Sequence, residues 1–396
     1  MRTSVGAAPR RARAAVSILF CVNGALIASL LARLPTVKAN LELSNAALGT
    51  GLASAPAGAL LASVVAGRAV ARFGSGRLAV AASVGYGLAL PLVGLAPAWA
   101  AFAATVFAFG ICDAFADVGQ NAHGLRVQRL YGRSLINGFH AWWSIGGVLG
   151  AGSSALAAAL DVALAVHLSV AGAALALAAL AAGRWTLTGS DPGADHAGPP
   201  AAADPGTRLR RARPPIAALA GLGALTLLAA IVEDVPGSWG AVYLRDGLGA
   251  TAGTAALAFA AFTSGMTATR LAADRVVDRL GHIAVVRAGG TLAAASLVVA
   301  LLTGTWWAGL AGFFLVGVGA AASFPALFHA AGHRPGVRPA DGIALISWAG
   351  RAGFLIAPPL VGVVADAVGL TWAVGLGAVT AACVVAGAGG ALRAPA

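Results

Sequence analysis

Two acidic side chains interrupt an otherwise uncharged stretch of the chain that is long enough to cross a lipid bilayer. Between Arg77 and Arg126 the only charged residues are Asp113 and Asp117. Together with Asn121 they recur at every fourth residue, and this spacing places all three on one face of a helix. A carboxylate in hydrocarbon is costly unless it is protonated, paired or facing water, so such residues mark an ion or substrate path.

The composition assigns this stretch to a membrane protein. Of 396 residues, 59% are hydrophobic and only 10% are charged, whereas charged residues make up about 25% of soluble domains. Several uncharged runs reach or exceed the roughly 20 residues that a membrane-spanning helix needs. The runs lack the two-residue alternation of a membrane β-barrel. We therefore expect an all-α polytopic membrane protein.

Clusters of glycine, proline and tryptophan divide the apolar runs into twelve predicted spans. These cover residues 14–34, 45–67, 78–95, 98–125, 135–159, 163–185, 216–239, 251–270, 284–303, 307–332, 340–364 and 371–391. A proline-rich segment between the sixth and seventh spans has too little apolar surface to pack. We predict an N-terminal six-helix bundle over residues 1–187, a flexible cytoplasmic linker over 188–215 and a C-terminal six-helix bundle over 216–396.

The two predicted bundles share an internal repeat. Four residues of the first half recur 207 positions later, pairing Arg72 with Arg279, Gly74 with Gly281, Gly110 with Gly317 and Gly146 with Gly353. Parallel repeats related about the membrane normal are a known architecture of secondary transporters, which bind substrate between their halves near the membrane midplane. The repeat therefore predicts two pseudo-symmetric bundles.

The basic residues predict the orientation of the chain. All but four of the 26 lysines and arginines fall in alternate loops and at the termini. The exceptions are Arg33, Lys38, Arg245 and Arg351. Because cytoplasmic loops are enriched in basic residues, we expect both termini to be cytoplasmic. Positive charge divided among short loops gives no sign of a nucleic-acid-binding face.

Two loops carry related motifs of the form G-x-x-x-D-R-x-G-x-x-R/K. The residues that fit this pattern are Gly67, Arg72, Gly74 and Arg77 after the second span, and Asp278, Arg279 and Gly281 after the eighth. Ala71 stands where the first motif has its acid. With these motifs the chain resembles the major facilitator superfamily over nearly its whole length. In that family the acid and base latch the loop to a neighbouring helix, so Ala71 removes part of the latch in the first half.

A second set of residues resembles a bacterial subgroup near the fucose-permease-like transporters, and this resemblance implies a multi-pass protein of the bacterial cytoplasmic (inner) membrane. The set consists of Asp117, Val118, Asn121, Gly132, Arg133, His140, Ser144 and Gly146. The superfamily resemblance implies twelve transmembrane helices in two six-helix bundles, a 6+6 arrangement. It also implies a cavity lined by spans 1, 4, 7 and 10, with spans 2, 5, 8 and 11 beside it as gates.

This family arrangement places several polar and aromatic residues on the cavity and gating helices. The substrate-cavity candidates are Asn23, Asn121, His140, Trp143, Glu233, Asp234, Phe324 and Trp348. Glu233 and Asp234 precede Pro236 and Gly237, so we expect the seventh helix to kink or unwind there, near its outer end. Asp234 has an equally good interpretation as a cap for exposed backbone.

Asp113, Asp117 and Arg351 are the candidates for proton coupling. Desolvated neighbouring carboxyl groups can load and release a proton. Arg351 stands in the middle of the eleventh span, where it needs a partner. We expect it to pair with Asp113 or Asp117, or to bind an anionic group of the substrate.

The sequence predicts a secondary active transporter that moves a small solute by alternating access, as a proton-coupled symporter of a sugar or small polar metabolite. A proton-coupled multidrug or metabolite efflux antiporter is the alternative. A membrane-embedded aspartyl protease would need its two acids on separate helices, and a channel would need a ring of charges. The His329 and His333 pair has no obvious third metal ligand.

We expect no cofactor, no bound metal, no enzymatic activity and no nucleic-acid partner. The expected partners are the substrate, a proton or other coupling ion and the lipid bilayer, with the protein acting as a monomer.

Overall fold

The computed structural model describes residues 6–189, 216–335 and 337–392, and most of these residues are helical, with no β-strand among them. The helices, in chain order, are α1 Ala7–Leu31, α2 Leu34–Asn40, α3 Asn45–Leu52, α4 Ser54–Phe73, α5 Ser75–Gly94, α6 Trp99–Tyr131, α7 Ile136–Ala159, α8 Leu164–Gly183, α9 Ile216–Asp234, α10 Gly240–Val242, α11 Ala252–Ala256, α12 Ala258–Arg270, α13 Ala273–Thr303, α14 Trp306–Ala320, α15 Ser323–Gly332, α16 Pro339–Val368 and α17 Leu370–Leu392.

Ten helical segments of the described chain are long and apolar enough to cross a membrane, and they match ten of the twelve predicted spans. The other two predicted spans are α7 and the pair formed by α11 and α12. α7 has 24 residues and no Asp, Glu, Lys or Arg, so only its lower mean hydropathy distinguishes it from the ten segments. α12 has only 13 residues and follows α11 after a turn at Leu257. With these two included, the predicted arrangement of six plus six helices is confirmed.

The chain divides into two units. The first contains residues 1–41 and 54–202, and the second contains residues 42–53 and 203–396. α3 therefore belongs to the second unit, whereas α4, which follows it after one residue, belongs to the first. Most of the predicted linker lies outside the described residues, so the predicted boundaries at residues 187 and 215 stay a prediction.

Equivalent glycines make equivalent contacts in the two units. A Cβ atom added to Gly110 would lie 1.9 Å from the carbonyl oxygen of Ala55, and one added to Gly317 would lie 2.0 Å from that of Phe262. Ala55 and Phe262 are themselves separated by the 207-residue offset of the repeat. Small residues let membrane helices approach this closely, so α6 packs on α4 as α14 packs on α12.

The seventh span is longer than the sequence indicated. The sequence predicts a span that ends at residue 239 and kinks or unwinds at Pro236 and Gly237. The helix does leave α geometry there, but the span continues to Gly247. Two π-helical segments, Val235–Trp239 and Tyr243–Gly247, flank α10 and carry the helix past the proline. Wider π turns accommodate the missing proline N–H without ending the helix. As a result, Glu233 stands at the midpoint of the span Leu219–Gly247 and not near its outer end.

Candidate functional site

Asp113 belongs to a hydrogen-bonded cluster that joins three helices of the first unit. The Nδ2 of Asn23 on α1 donates to Asp113 Oδ1 on α6 at 2.8 Å, and the Nε1 of Trp143 on α7 donates to Asn23 Oδ1 at 2.7 Å. An indole N–H can only donate, so it fixes Asn23 with its amide oxygen towards Trp143 and its amide nitrogen towards Asp113. Asn23 is 4% exposed. The cluster therefore holds the Asp113 carboxyl in a set orientation.

The close approach of α1 and α7 makes the cluster possible. A Cβ on Gly24 would lie 1.9 Å from the carbonyl oxygen of Trp143, and one on Gly146 would lie 1.9 Å from that of Cys21. A Cβ on Gly150 would lie 2.4 Å from the carbonyl oxygen of Ala25. The pair Gly146 and Gly150 thus acts in helix packing, as its spacing indicates.

Tyr86 on α5 lies beside this cluster and was missed in the sequence. Its side chain is fully buried, packs on Phe109 with a ring-centroid distance of 3.9 Å, and is in electrostatic range of Asp113. A buried phenol next to an acid can donate a hydrogen bond either to that acid or to a polar solute. A tyrosine within an uncharged span was the available signal.

Asp117 and Asn121 occupy the next two turns of α6. Asn121 Nδ2 donates to Asp117 Oδ1 at 2.8 Å and to the Asp117 backbone oxygen at 2.9 Å. Asp117 is exposed, whereas Asp113 is half-buried. One continuous helix therefore carries all three predicted residues, but their surroundings differ. Asp113 is bonded to a neighbouring helix, and Asp117 is bonded to its own.

The other candidates of the first unit lie outside the cluster. His140 on α7 is exposed and packs edge-on against Phe20 at 5.1 Å. His123, which no pattern in the sequence indicated, is fully buried. The Leu187 N–H donates to its Nε2 at 3.1 Å, so in the neutral ring Nδ1 carries the hydrogen and donates to Ser75 Oγ at 3.0 Å. His123 thereby joins α6 to the start of α5 and to the chain after α8.

Arg33, one of the few basic residues outside the predicted cytoplasmic loops, is buried in the first unit. Its side chain is 3% exposed, and its Nη2 donates to the Val162 backbone oxygen at 3.0 Å. Burial lowers the pKa of its guanidinium group. The contact ties the chain after α1 to the segment before α8, which is a structural role.

In the second unit, the two predicted acids sit within an apolar surrounding. Asp234 is 7% exposed, and its Oδ1 accepts a hydrogen bond from Ser238 Oγ at 2.7 Å. Asp234 Oδ2 and Glu233 Oε1 are buried and have no hydrogen-bond partner in the described part of the chain. This pair belongs to the second unit, whereas Asp113 belongs to the first.

The remaining candidates of the second unit are dispersed over α15 and α16. Phe324 stacks on Phe354 with ring centroids 6.2 Å apart, whereas Trp348 is 59% exposed. Arg351 is half-buried in α16. Its pairing with Asp113 or Asp117 stays a prediction.

The histidine pair at the end of α15 has a third neighbour that the sequence did not reveal. His282 stacks on His329 at 4.3 Å, and His329 packs on His333 at 4.3 Å. Within the described residues, no group of three His, Cys, Asp or Glu side chains has a geometry that could hold a metal ion.

The two loop motifs have the same backbone conformation at their central glycines. Gly74 has φ 82° and ψ 144° and precedes α5, and Gly281 has φ 77° and ψ 158° and interrupts α13. This region favours glycine, which explains the residue type in both halves. Arg72 and Arg77 line a cavity of about 320 Å³ together with Arg126.

These features define a polytopic helical membrane protein built from two related units, each with polar side chains buried in the middle of its helices. A family model described as Major Facilitator Superfamily matches residues 222–394. An uncharacterized transporter of Sinorhizobium fredii (strain NBRC 101917 / NGR234) is 30% identical over 352 residues, which cover 88% of this chain and 89% of that protein. An uncharacterized MFS-type transporter of Yersinia pestis is 30% identical over 361 residues, covering 90% of each.

Membrane protein MosC of Rhizobium meliloti is 29% identical over 359 residues, which cover 90% of this chain and 84% of MosC. Two solved structures share the fold at low sequence identity. The nucleoside transporter NupG has a TM-score of 0.72 at 12% identity, covering 97% of this chain and 98% of its own. A bacterial homologue of the human lysosomal transporter Spinster has a TM-score of 0.69 at 14% identity, covering 96% of each chain. The chain belongs to the major facilitator superfamily, and it is a membrane transporter.

Proposed function

We propose that the protein is a proton-coupled symporter of a small polar metabolite such as a sugar, with the Asp113 cluster as its solute site. The observation that carries this proposal is the fixed chain of hydrogen bonds from Trp143 through Asn23 to Asp113. Buried polar groups of set orientation recognise hydroxyl and amino groups and discriminate against solutes that lack them.

The Asp113 carboxyl also supplies the proposed coupling group, with Asp117 as the second candidate. A carboxyl that binds solute when protonated and releases it when ionised links the two events. The nearby Tyr86 hydroxyl and Trp143 ring add a hydrogen-bonding group and a stacking surface. Both suit a solute with a ring and several hydroxyl groups. NupG, which has the same fold, is a nucleoside transporter, so nucleosides belong in the first set of solutes tested.

The solute class can be found by measuring the thermal unfolding of the purified protein with sugars, nucleosides, organic acids, amino compounds and lipophilic cations. We expect a polar, uncharged solute to raise the melting temperature. Stabilisation by lipophilic cations alone would contradict the proposal and support efflux.

Coupling can then be tested in proteoliposomes with the solute so identified. Asp113→Asn should abolish uptake driven by a pH gradient while leaving solute exchange at equilibrium, because exchange needs no net proton movement. Asp161→Asn is the matched control, since Asp161 is exposed and lies in the turn between α7 and α8. Driven uptake that is unaltered in both Asp113→Asn and Asp117→Asn would rule out these acids as the coupling groups.

A further inference from the structure

The second unit contains a pair of adjacent acids, the half-buried Glu233 and the buried Asp234, that the Asp113 cluster leaves unexplained. Glu233 stands at the midpoint of its membrane span, and Asp234 is 7% exposed. Acidic residues in the middle of a membrane span are rare and mark ion or proton pathways by default. The pair also immediately precedes the first π-helical segment, Val235–Trp239. Such segments occur frequently at functional sites.

Hydrogen bonding around the pair is incomplete. The Ser238 hydroxyl satisfies Asp234 Oδ1, but Asp234 Oδ2 and Glu233 Oε1 have no partner among the described residues. The same is true of Trp239 Nε1, in a fully buried side chain. An ionised carboxylate can only accept hydrogen bonds, whereas a protonated carboxyl also donates one. If Glu233 or Asp234 is ionised, its buried oxygen without a donor carries a desolvation cost that protonation reduces.

Few charged groups lie on the neighbouring helices to offset the negative charge of an ionised Glu233 or Asp234. Of the elements packed on this part of the seventh span, α14 and α17 contain no Asp, Glu, Lys, Arg or His. α15 contains His329. α16 contains Asp341, Arg351 and Asp366. Arg270 at the end of α12 is within electrostatic range of Glu233, but no ion pair joins them in the described structure.

We propose that Glu233 and Asp234 form a proton-binding site of the second unit, in addition to the Asp113 cluster of the first unit. The missing hydrogen-bond donors, the mid-span position and the adjoining π turns together point to carboxyl groups that take up a proton and release it. Proton binding at this site does not depend on the proposed function. Its use does, because only a proton-coupled transporter would couple solute movement to two protons, one at each site.

The composition of the chain allows a direct test without a known solute. Glu42 and Glu233 are the only glutamates in the sequence. Protein made by cell-free synthesis with carbon-13 at the glutamate side-chain carboxyl, and reconstituted in lipid nanodiscs, will therefore give two carboxyl resonances. Glu42 is exposed and serves as the internal control, and Glu42→Gln and Glu233→Gln assign the two signals.

We expect the Glu233 resonance to shift reversibly with pH over a range different from that of Glu42. Asp234→Asn should displace the Glu233 titration, because neighbouring acids titrate as a coupled pair. Asp246→Asn, which changes an exposed acid on the same span, should leave it in place. A Glu233 resonance that stays constant from acidic to alkaline buffer in the unmutated protein would overturn the proposal, as would a titration that superimposes on that of Glu42.

The measurement separates the two proposals. If Glu233 does not titrate, the symporter proposal still stands, because Asp113 alone can couple solute movement to a proton. Conversely, a titrating Glu233 in a protein that fails to take up any polar solute would support the proton site and refute the assigned substrate class. If Asp234 has a purely structural role and only accepts the hydrogen bond from Ser238, Asp234→Asn should not displace the Glu233 titration.

Discussion

Asp366 at the end of α16 caps the N-terminus of α3 through Asn45. Asp366 Oδ1 accepts hydrogen bonds from the Asn45 backbone N–H at 3.0 Å and from Asn45 Nδ2 at 2.8 Å. Its Oδ2 accepts from the Ala46 N–H at 2.7 Å. Ser44 bonds the next two N–H groups of the helix through its side chain and its carbonyl oxygen. Three N–H groups that a helix start leaves unpaired, those of Asn45, Ala46 and Ala47, are thus satisfied.

Replacing Asp366 by asparagine should loosen α3 from α16. An asparagine side chain has one acceptor oxygen, and its amide group would face a backbone N–H that also donates. The negative charge that suits a helix N-terminus would be lost as well. We expect Asp366→Asn to destabilise the protein by about 1 kcal/mol, measured as a lower melting temperature in detergent. Asp161→Asn, in an exposed turn, should have no such effect, and equal melting temperatures for the two variants would contradict the assignment.

A second prediction concerns the indole N–H that orients Asn23. Trp143→Phe keeps an aromatic ring but removes the donor to Asn23 Oδ1, so the amide oxygen would be left buried and unpaired. Such a loss costs about 1–3 kcal/mol. The neighbouring substitution Trp142→Phe is the matched control, because Trp142 is 44% exposed. Melting temperature and solute affinity should both fall in Trp143→Phe alone. If both variants behave alike, the oriented cluster has no energetic importance.

The close contact of α1 and α7 gives a third prediction. In Gly24→Ala the new Cβ would lie 1.9 Å from the Trp143 carbonyl oxygen, which is backbone and cannot rotate away. The helices must separate, so we expect a loss of about 1–3 kcal/mol in stability. Gly138→Ala on α7 has no neighbour within 4 Å of its Cβ and should be neutral or slightly stabilising. Unfolding curves of the two variants in the same detergent provide the comparison, and an unchanged Gly24→Ala protein would contradict the packing described.

Much of the helical architecture was predictable because it depends on local composition. Apolar runs, loop glycines and the 207-residue repeat are visible in the sequence. They predict the helices and the equivalence of Gly74 and Gly281. Partnerships between distant residues were not predictable in this way. The hydrogen bond from Asn23 to Asp113 joins residues 90 positions apart, and that from Asn45 to Asp366 joins residues 321 apart. Which helices face each other depends on the packed structure.

The error at the seventh span has a specific physical cause. Pro236 and Gly237 both weaken an α-helix, so the sequence indicated that the span ends near them. The π-helical turn from Val235 to Trp239 accommodates a residue that has no backbone N–H, and the span continues to Gly247. A proline in a membrane helix is tolerated when local π adjustments and neighbours compensate. The consequence is a mid-membrane position for Glu233 that the sequence alone did not give.

The last prediction isolates backbone conformation from packing at the second loop motif. Gly281 has φ 77°, and a Cβ atom there would have no neighbour within 4 Å. The cost of Gly281→Ala is therefore conformational and should be about 1–3 kcal/mol, because the combination of φ 77° and ψ 158° is essentially restricted to glycine. Gly390→Ala on α17 also has open space around its Cβ but has no positive φ, so it should be tolerated. Melting temperatures of both variants test the prediction. If Gly281→Ala is as stable as Gly390→Ala, the break in α13 is not held in this conformation, and the structural equivalence of Gly74 and Gly281 loses its physical basis.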